Sequence, residues 1–173
     1  DSSAEDVGFL EALSSALVAE FDLDSARVYV AGFSNGAAMA HRLACQSDRF
    51  TAIAAVAGYL TQEAEQHCTN ERPVSVLDVH GTADTAVFYD ARLTHTIAHW
   101  VEHDACVAEA ADVRLPDRDP TDETSVVRKA HRGCREGSDV ELYTLQGGGH
   151  TWPGEARQWL RIFRPPGRVS RDI

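Results

Sequence analysis

A Gly-x-Ser-x-Gly pentapeptide is the first candidate for chemistry in this chain. Residues 32–36, Gly-Phe-Ser-Asn-Gly, follow the apolar run Val28 to Ala31 and precede a segment with helical character, Ala37 to Ala44. A serine on a strained strand-to-helix turn needs neighbours without side chains two residues away on either side, because the turn would otherwise clash with itself. The spacing therefore predicts that Ser34 is a nucleophile. A strand–turn–helix with a bystander serine is the alternative.

A nucleophilic serine needs a base, and the base needs an orienting acid. The turn 80–84 follows an apolar strand and ends in Asp84, and the glycine-rich loop 147–154 follows a later strand and presents His150. Each of the three side chains thus comes at the carboxyl end of a predicted strand. The chain order serine, aspartate, histidine is that of α/β-hydrolases. We predict that these residues form a catalytic triad.

Other residues of the same motifs are candidates for supporting roles. The backbone N–H of Asn35 is predicted to donate a hydrogen bond to the oxyanion. Phe33 and Trp152 are candidates for substrate binding, and packing is an equal alternative for Trp152. Asp84 could instead cap a turn, since aspartate is common there. His80 is expected to be a structural, hydrogen-bonding histidine rather than the base.

Three motifs together resemble those of a known family: residues 32–36, residues 80–84 and the histidine block 148–154. They are similar to motifs of secreted polyhydroxybutyrate depolymerases and of the related feruloyl and acetylxylan esterases, and the likeness covers nearly the whole chain. The resemblance implies an α/β-hydrolase that cleaves carboxylic esters without a metal or an organic cofactor. A polyhydroxybutyrate-type polyester or hydroxyacyl ester is the first expectation for the substrate, with feruloyl or acetylxylan esters as the alternative. Thr85 stands where this family usually has proline, which bears on loop stiffness.

A helical stretch, residues 91–106, carries His95, His99 and His103 at four-residue spacing. Two histidines so spaced can bind a divalent ion. The outer pair lies about 12 Å apart along the helix axis, so the three cannot share one metal. We therefore expect a solvated face with Glu102 nearby and no metal site.

The four cysteines permit two disulfide bonds, in three possible pairings. Joining Cys45 to Cys68 and Cys106 to Cys134 links sequential neighbours and agrees with the family resemblance, so this pairing is favoured. Disulfide bonds persist only in an oxidising compartment, which predicts a secreted or periplasmic protein. Four reduced thiols in a cytosolic protein are the alternative.

The composition disfavours two classes of partner. The formal net charge is −11 and Lys129 is the single lysine, whereas a nucleic-acid-binding protein needs a basic patch. No run of about eighteen apolar residues occurs, so no membrane span is expected. The expected partner is a small-molecule or polymeric ester.

Strands that alternate with helices predict a single α/β domain over residues 1–173, with a mostly parallel sheet and helices on both faces. Right-handed crossovers would bring the three candidate side chains to one carboxyl edge. The helix expected over residues 7–21 has apolar residues at helical spacing that should face the sheet, namely Val7, Leu10, Leu13, Leu17 and Phe21.

The first residues of the chain already belong to the helix before the nucleophile strand. The N-terminal strands and the loop that supplies a second oxyanion donor in this fold are therefore expected to be missing. At the other end the chain stops at residues 169–173, where the family resemblance implies a final helix, so that helix is expected to be missing too. Losing one such donor typically costs about 10²–10³ in rate, so a non-catalytic remnant is an alternative of another class. Residues 28–31 would form an exposed apolar edge through which chains could associate.

Overall fold

A computed structural model describes residues 5–109, 111–154, 168 and 170–173. Its helices are α1 (Asp6–Glu20), α2 (Asn35–Gln46), α3 (Gln62–Gln66) and α4 (Ala91–His103), with one 3-10 turn at Arg135–Gly137. Its strands are β1 (Tyr29–Phe33), β2 (Ala52–Val56), β3 (Ser75–Gly81), β4 (Ala108–Glu109), β5 (Val113–Arg114), β6 (Ser125–Arg132) and β7 (Val140–Gln146).

The strands form one mixed sheet in the order β1-β2-β3-β7-β6-β4, with β5 also paired to β6. The pairs from β1 to β7 are parallel, and every pair that involves β6 is antiparallel. The predicted α/β class is confirmed, and strand β1 is an edge of the sheet among the described residues, as expected. The three motif loops follow β1, β3 and β7 at the same end of the parallel strands.

Strand β6 is absent from the sequence-based interpretation, which has no element between residues 123 and 140. Val126 and Ala130 lie on one face of β6 and are buried at 0% and 3% exposure, whereas Arg128 lies between them on that face and is half-buried. Its other positions are rich in basic side chains, namely Arg128, Lys129, His131 and Arg132.

The core lies in two clusters of buried side chains. The larger one joins the sheet to α2, α3 and α4 and includes Trp100, which is completely buried. The other cluster contains strand and loop residues, with Val79, Val126 and Leu145 among its buried members. Among the described residues, the helices with buried side chains, α2, α3 and α4, all join the larger cluster.

Helix α1 forms where its periodicity predicted it, but the expectation that it faces the sheet is wrong. No side chain of α1 is buried, and Leu13, Leu17 and the following Phe21 are 43%, 41% and 61% exposed. The helix contacts α2, and the side chain of Arg49 donates to the Ser14 hydroxyl at 2.6 Å. Since β1 is the edge strand, the described sheet offers no further surface beyond β1 for α1 to cover.

Both disulfide bonds have the favoured pairing. Cys45 at the end of α2 is bonded to Cys68 in the loop after α3, and Cys106 beyond α4 is bonded to Cys134 before the 3-10 turn. No described helix is both long enough and apolar enough to cross a membrane.

Three side chains with polar atoms, those of Trp100, His41 and Asp78, lie in a row inside the larger cluster, where α2, β3 and α4 meet. The indole N–H of Trp100 donates to Nδ1 of His41 at 3.1 Å, which leaves the ring proton of a neutral imidazole on Nε2. That Nε2 atom lies 3.4 Å from Oδ2 of Asp78, and both side chains are 0% exposed. Neither oxygen of Asp78 forms a hydrogen bond to a described residue, so the buried carboxyl relies on its 3.4 Å contact with the His41 ring for polar compensation.

Candidate active site

Ser34 sits on a strained turn between β1 and α2. Its φ of 56° and ψ of −117° are unusual for a residue with a side chain. Its N–H donates to the carbonyl of Val56 at the end of β2, 2.9 Å away, which ties the turn to the neighbouring strand. The result is the strand–turn–helix that the pentapeptide predicted.

Only one of the two glycines in the pentapeptide is sterically required. A β-carbon on Gly32 would lie 2.0 Å from the carbonyl oxygen of Gly36, whereas a β-carbon on Gly36 would have no neighbour within 4 Å outside its own helical turn. The prediction that both positions must lack a side chain is therefore confirmed for Gly32 and wrong for Gly36.

Asp84 lies in the loop that follows β3, and its side chain is fully buried. One carboxylate oxygen accepts from the backbone N–H groups of Ala86 and Val87 at 2.9 and 2.8 Å. The sequence did not single out these two donors, although an aspartate that bonds backbone two residues on is a known turn signature. Burial works against ionisation, but the hydrogen bonds from His150, Val87 and Ala86 outweigh it, so the pKa of Asp84 lies below its ordinary value.

His80 contacts two residues of the same loop. Its Nε2–H donates to the carbonyl of Val87 at 2.8 Å and lies 3.6 Å from a carboxylate oxygen of Asp84. The side chain is buried and its ring meets Tyr89 edge-on. This contact pattern agrees with the structural role expected for His80.

The histidine loop is docked directly onto the aspartate loop. A β-carbon on Gly81 would lie 2.3 Å from the carbonyl oxygen of Gly148, so the two backbones approach as closely as glycine allows. The Ala83 N–H donates to that same carbonyl at 2.9 Å, and the Thr82 N–H donates to the carbonyl oxygen of Leu145 at 3.0 Å. These bonds fix the position of His150 relative to Asp84.

The structure brings Ser34, Asp84 and His150 together. Nδ1 of His150 donates to Oδ2 of Asp84 at 2.8 Å, and Nε2 lies 3.1 Å from Oγ of Ser34. The carboxylate fixes the proton on Nδ1, so the lone pair of Nε2 faces the serine hydroxyl. This arrangement can deprotonate the serine as it attacks and can hold the resulting imidazolium.

The supporting residues lie around this group. Asn35 is the first residue of α2, so its N–H has no acceptor within the helix and remains available to an anion. The ring of Phe33 packs against the His150 imidazole with a centroid separation of 4.7 Å. Trp152 is 45% exposed, and Phe88, which the sequence did not single out, is 57% exposed in the aspartate loop.

The face of α4 that carries His95, His99 and His103 is in contact with α3 as well as with solvent. Glu65 accepts from His95 at 2.9 Å and lies 3.4 Å from Nδ1 of His99, whereas His103 pairs with Asp104. The bond from His95 lowers the pKa of Glu65, burial lowers the pKa of His99, and the bond to Asp104 raises the pKa of His103. The expectation of a solvated face is therefore wrong for the half-buried His99 and His103.

The chain is similar to several curated proteins. It is 34% identical over 172 residues to NocK of Nocardia uniformis subsp. tsuyamanensis, a protein named as an esterase, covering 86% of this chain and 49% of that protein. It is 27% identical over 164 residues to feruloyl esterase B of Piromyces equi, with 85% and 29% covered, and 26% identical over 149 residues to feruloyl esterase D of Neurospora crassa, with 86% and 48% covered. The chain thus spans half or less of the length of these relatives. No protein-family model matches the chain.

Two crystal structures resemble the fold. Esterase PE8 superposes with a TM-score of 0.54 at 22% identity, covering 82% of this chain and 51% of that one. A variant of SOBER1 from Arabidopsis thaliana superposes with a TM-score of 0.56 at 16% identity, with 86% and 56% covered. At these identities the likeness concerns the fold.

Proposed function

Since the chain belongs to the feruloyl esterase-like family of α/β-hydrolases, we propose that it hydrolyses carboxylic esters through an acyl-enzyme on Ser34. One observation carries the proposal above all others. The imidazole of His150 bridges the Ser34 hydroxyl and the Asp84 carboxylate at 3.1 and 2.8 Å, although the three residues come from three separate loops. The bond lengths and the order of the three groups are those that nucleophilic serine chemistry requires.

Acylation follows from this geometry. The Ser34 oxygen attacks the ester carbonyl carbon while Nε2 of His150 takes the hydroxyl proton. Asp84 holds the imidazolium through its bond to Nδ1–H, and the carbonyl oxygen becomes an oxyanion. The N–H of Asn35, at the positive end of α2, donates to that oxyanion. The carbon–oxygen bond to the alcohol then breaks, and His150 gives its proton to the leaving alkoxide.

Deacylation repeats the same proton movements with water. His150 removes a proton from the water as its oxygen attacks the acyl carbon, and it returns that proton to Ser34 when the acid departs. Asp84 is suited to this cycle because its low pKa keeps the carboxylate charged while the imidazole gains and loses a proton. The proposed reaction uses no metal or organic cofactor.

An aromatic acyl ester of the feruloyl type is the proposed substrate class. Relatives named feruloyl esterases support it, and exposed aromatic side chains at Phe88 and Trp152 offer flat apolar surface beside the two loops that carry the acid and the base. Polyhydroxybutyrate-type and acetyl esters are the competing classes. Two disulfide bonds support a secreted or periplasmic location.

Covalent labelling tests the chemistry. We expect a fluorophosphonate to modify Ser34 in the native protein, with the adduct located by peptide mass spectrometry. His150→Ala keeps the serine but should reduce the labelling rate by about 10³-fold or more, because the base is gone. Equal labelling of the wild type and His150→Ala would contradict an activated serine, and a folded protein that is neither labelled nor active would identify a non-catalytic remnant.

A substrate panel tests the specificity. Methyl ferulate, a short acyl p-nitrophenyl ester and a hydroxybutyrate oligomer are compared by kcat/KM in the same preparation, with Ser34→Ala as the blank. We expect methyl ferulate to exceed the hydroxybutyrate oligomer by at least about tenfold, as one well-fitted apolar group can provide. The reverse order would assign the protein to polyester hydrolysis and leave the serine chemistry intact.

A further inference from the structure

Away from the triad, three side chains with metal-binding atoms converge where α2, α3 and α4 meet. Cys45 lies in the last turn of α2, Cys68 in the loop after α3, and His99 on α4. Their two sulfur atoms and one ring nitrogen all lie within 4.8 Å of one another. Nε2 of His99 is 3.8 Å from Sγ of Cys68. Sulfur and nitrogen ligands on a tetrahedral zinc ion are separated by roughly 3.6 Å, from bond lengths of about 2.3 and 2.0–2.1 Å.

The histidine of this group is already oriented as a ligand. Oε1 of Glu65 lies 3.4 Å from Nδ1 of His99, on the side of the ring opposite the sulfur atoms. A carboxylate at Nδ1 favours the tautomer with its proton there, so the lone pair of Nε2 faces Cys68. Carboxylate, histidine and metal occur in this order in zinc sites, where the carboxylate fixes both tautomer and ring orientation. The ring of Trp100 also packs edge-on against His99 and restricts its rotation.

We propose that the disulfide-reduced protein binds one zinc ion through Cys45, Cys68 and His99, with Glu65 as the orienting group. In the oxidised protein the two sulfur atoms are bonded to each other and offer no thiolate. A dithiol or phosphine reductant transfers two electrons to the disulfide, two protons complete the thiols, and the reductant is oxidised. Zinc then binds two thiolates and one neutral imidazole and releases those two protons, with water as the fourth ligand.

Under this proposal the end of α2 and the loop after α3 are linked in both redox states, by the disulfide bond in the oxidised protein and by zinc in the reduced protein. The disulfide joins α2, which begins beside Ser34, to the loop after α3, and the zinc ion would join both of these to α4. The proposal does not depend on the ester chemistry. It concerns what holds the helix behind Ser34 before the disulfide has formed or after it has been reduced.

The second disulfide provides an internal comparison. Cys106 and Cys134 span 28 residues, close to the 23 of the first pair. In the part of the chain that the structure describes, no third ligand side chain completes a cluster with them within the same separation. Reduction of this pair should therefore create two thiols without creating a zinc site.

The test uses cobalt as a spectroscopic substitute for zinc. The double variant C106S/C134S retains the first pair, and C45S/C68S retains the second. After anaerobic reduction with a phosphine, we expect C106S/C134S to bind one Co²⁺ per chain, with thiolate-to-cobalt charge transfer and the visible bands of tetrahedral cobalt, both abolished by one equivalent of Zn²⁺. The oxidised protein and reduced C45S/C68S should show neither signal.

Histidine variants in the C106S/C134S background identify the nitrogen ligand. His99→Ala should weaken metal binding by at least tenfold, and Glu65→Gln by about 10–100-fold, the usual range for an orienting group. His95→Ala is the matched control, since His95 contacts Glu65 from the same helix face, and it should change binding by less than threefold. Binding that is unaffected by His99→Ala would overturn the proposal.

Circular dichroism keeps the result interpretable if reduction loosens the fold. Should the reduced C106S/C134S protein be unfolded without metal, zinc must restore the native spectrum in it but not in its His99→Ala derivative. A reduced protein that stays folded and binds no cobalt would contradict the proposal. So would a reduced protein that zinc cannot refold.

Discussion

The β-carbon that an alanine at position 32 would carry falls 2.0 Å from the carbonyl oxygen of Gly36 and 2.2 Å from its carbonyl carbon. Both atoms belong to the backbone that begins α2, so neither can rotate away. The reverse contact does not exist, because a β-carbon on Gly36 meets no neighbour outside its own helical turn within 4 Å. Of the two glycines in the pentapeptide, only Gly32 is therefore required by the turn that presents Ser34.

Gly32→Ala and Gly36→Ala should therefore differ strongly. We expect Gly32→Ala to lower the free energy of unfolding by about 1–3 kcal/mol or more, as overpacking against a fixed backbone does, and to reduce ester turnover by displacing Ser34. Gly36→Ala should leave stability unchanged or raise it by up to about 1 kcal/mol, because alanine is the better helix residue. Urea denaturation of both variants measures the difference, and equal destabilisation would show that the turn is less tight than described.

Asp84→Asn tests both catalysis and acid stability. The amide cannot hold the same tautomer of His150, and such a change in a serine triad lowers kcat by about 10⁴. The pKa of Asp84 is lowered from 3.8, so its carboxylate stabilises the fold above that ordinary value, and this contribution is lost as the pH falls through the lowered folded value.

Wild type and Asp84→Asn should accordingly differ most in unfolding free energy above about pH 5, and the difference should shrink as the pH falls below about 4. Urea titrations at several pH values test this, with kcat measured at neutral pH on the same samples. A difference in unfolding free energy that is constant with pH would contradict the assignment.

The buried His41–Asp78 pair should show strong coupling. His41→Leu removes the ring nitrogen that lies 3.4 Å from the Asp78 carboxyl, and removing one member of a buried pair costs about 3–5 kcal/mol. Replacing both residues by leucine should recover part of that loss, because the Asp78 carboxyl is then no longer stranded, while the indole N–H of Trp100 lacks its acceptor in the single and the double variant alike. A double-mutant cycle on unfolding free energies measures the coupling, and strictly additive effects would mean that the two side chains do not compensate each other.

The two disulfide bonds should contribute nearly equal stability. They close loops of similar length, with sequence separations of 23 and 28, and the loop-closure model assigns about 3–4 kcal/mol to each. The double variants C45S/C68S and C106S/C134S, compared under oxidising conditions by urea unfolding, give the two values. A difference above about 1 kcal/mol between the two disulfide bonds would show that loop length alone does not set their contributions to stability.

Much of the candidate site could be read from short segments. The Gly-x-Ser-x-Gly turn, the strand-end position of Asp84 and the loop of His150 are local patterns, because steric limits on a turn and the alternation of a strand act over a few residues. The cysteine pairing also followed from chain order and resemblance. Strand β6 escaped detection because Arg128 stands between Val126 and Ala130 on the same face and interrupts the apolar alternation that marks a strand.

Tertiary packing decided what those patterns could not contain. The apolar stripe of α1 predicted a helix but not its exposure, because burial depends on whether a sheet surface lies beneath the helix. The spacing of the α4 histidines excluded one metal ion shared by all three, yet it could not show that Glu65 and Cys68 approach His99 from α3 and the loop beyond. Local sequence determines which atoms a segment can present, whereas contacts between distant segments arise only when the whole sheet and its helices pack.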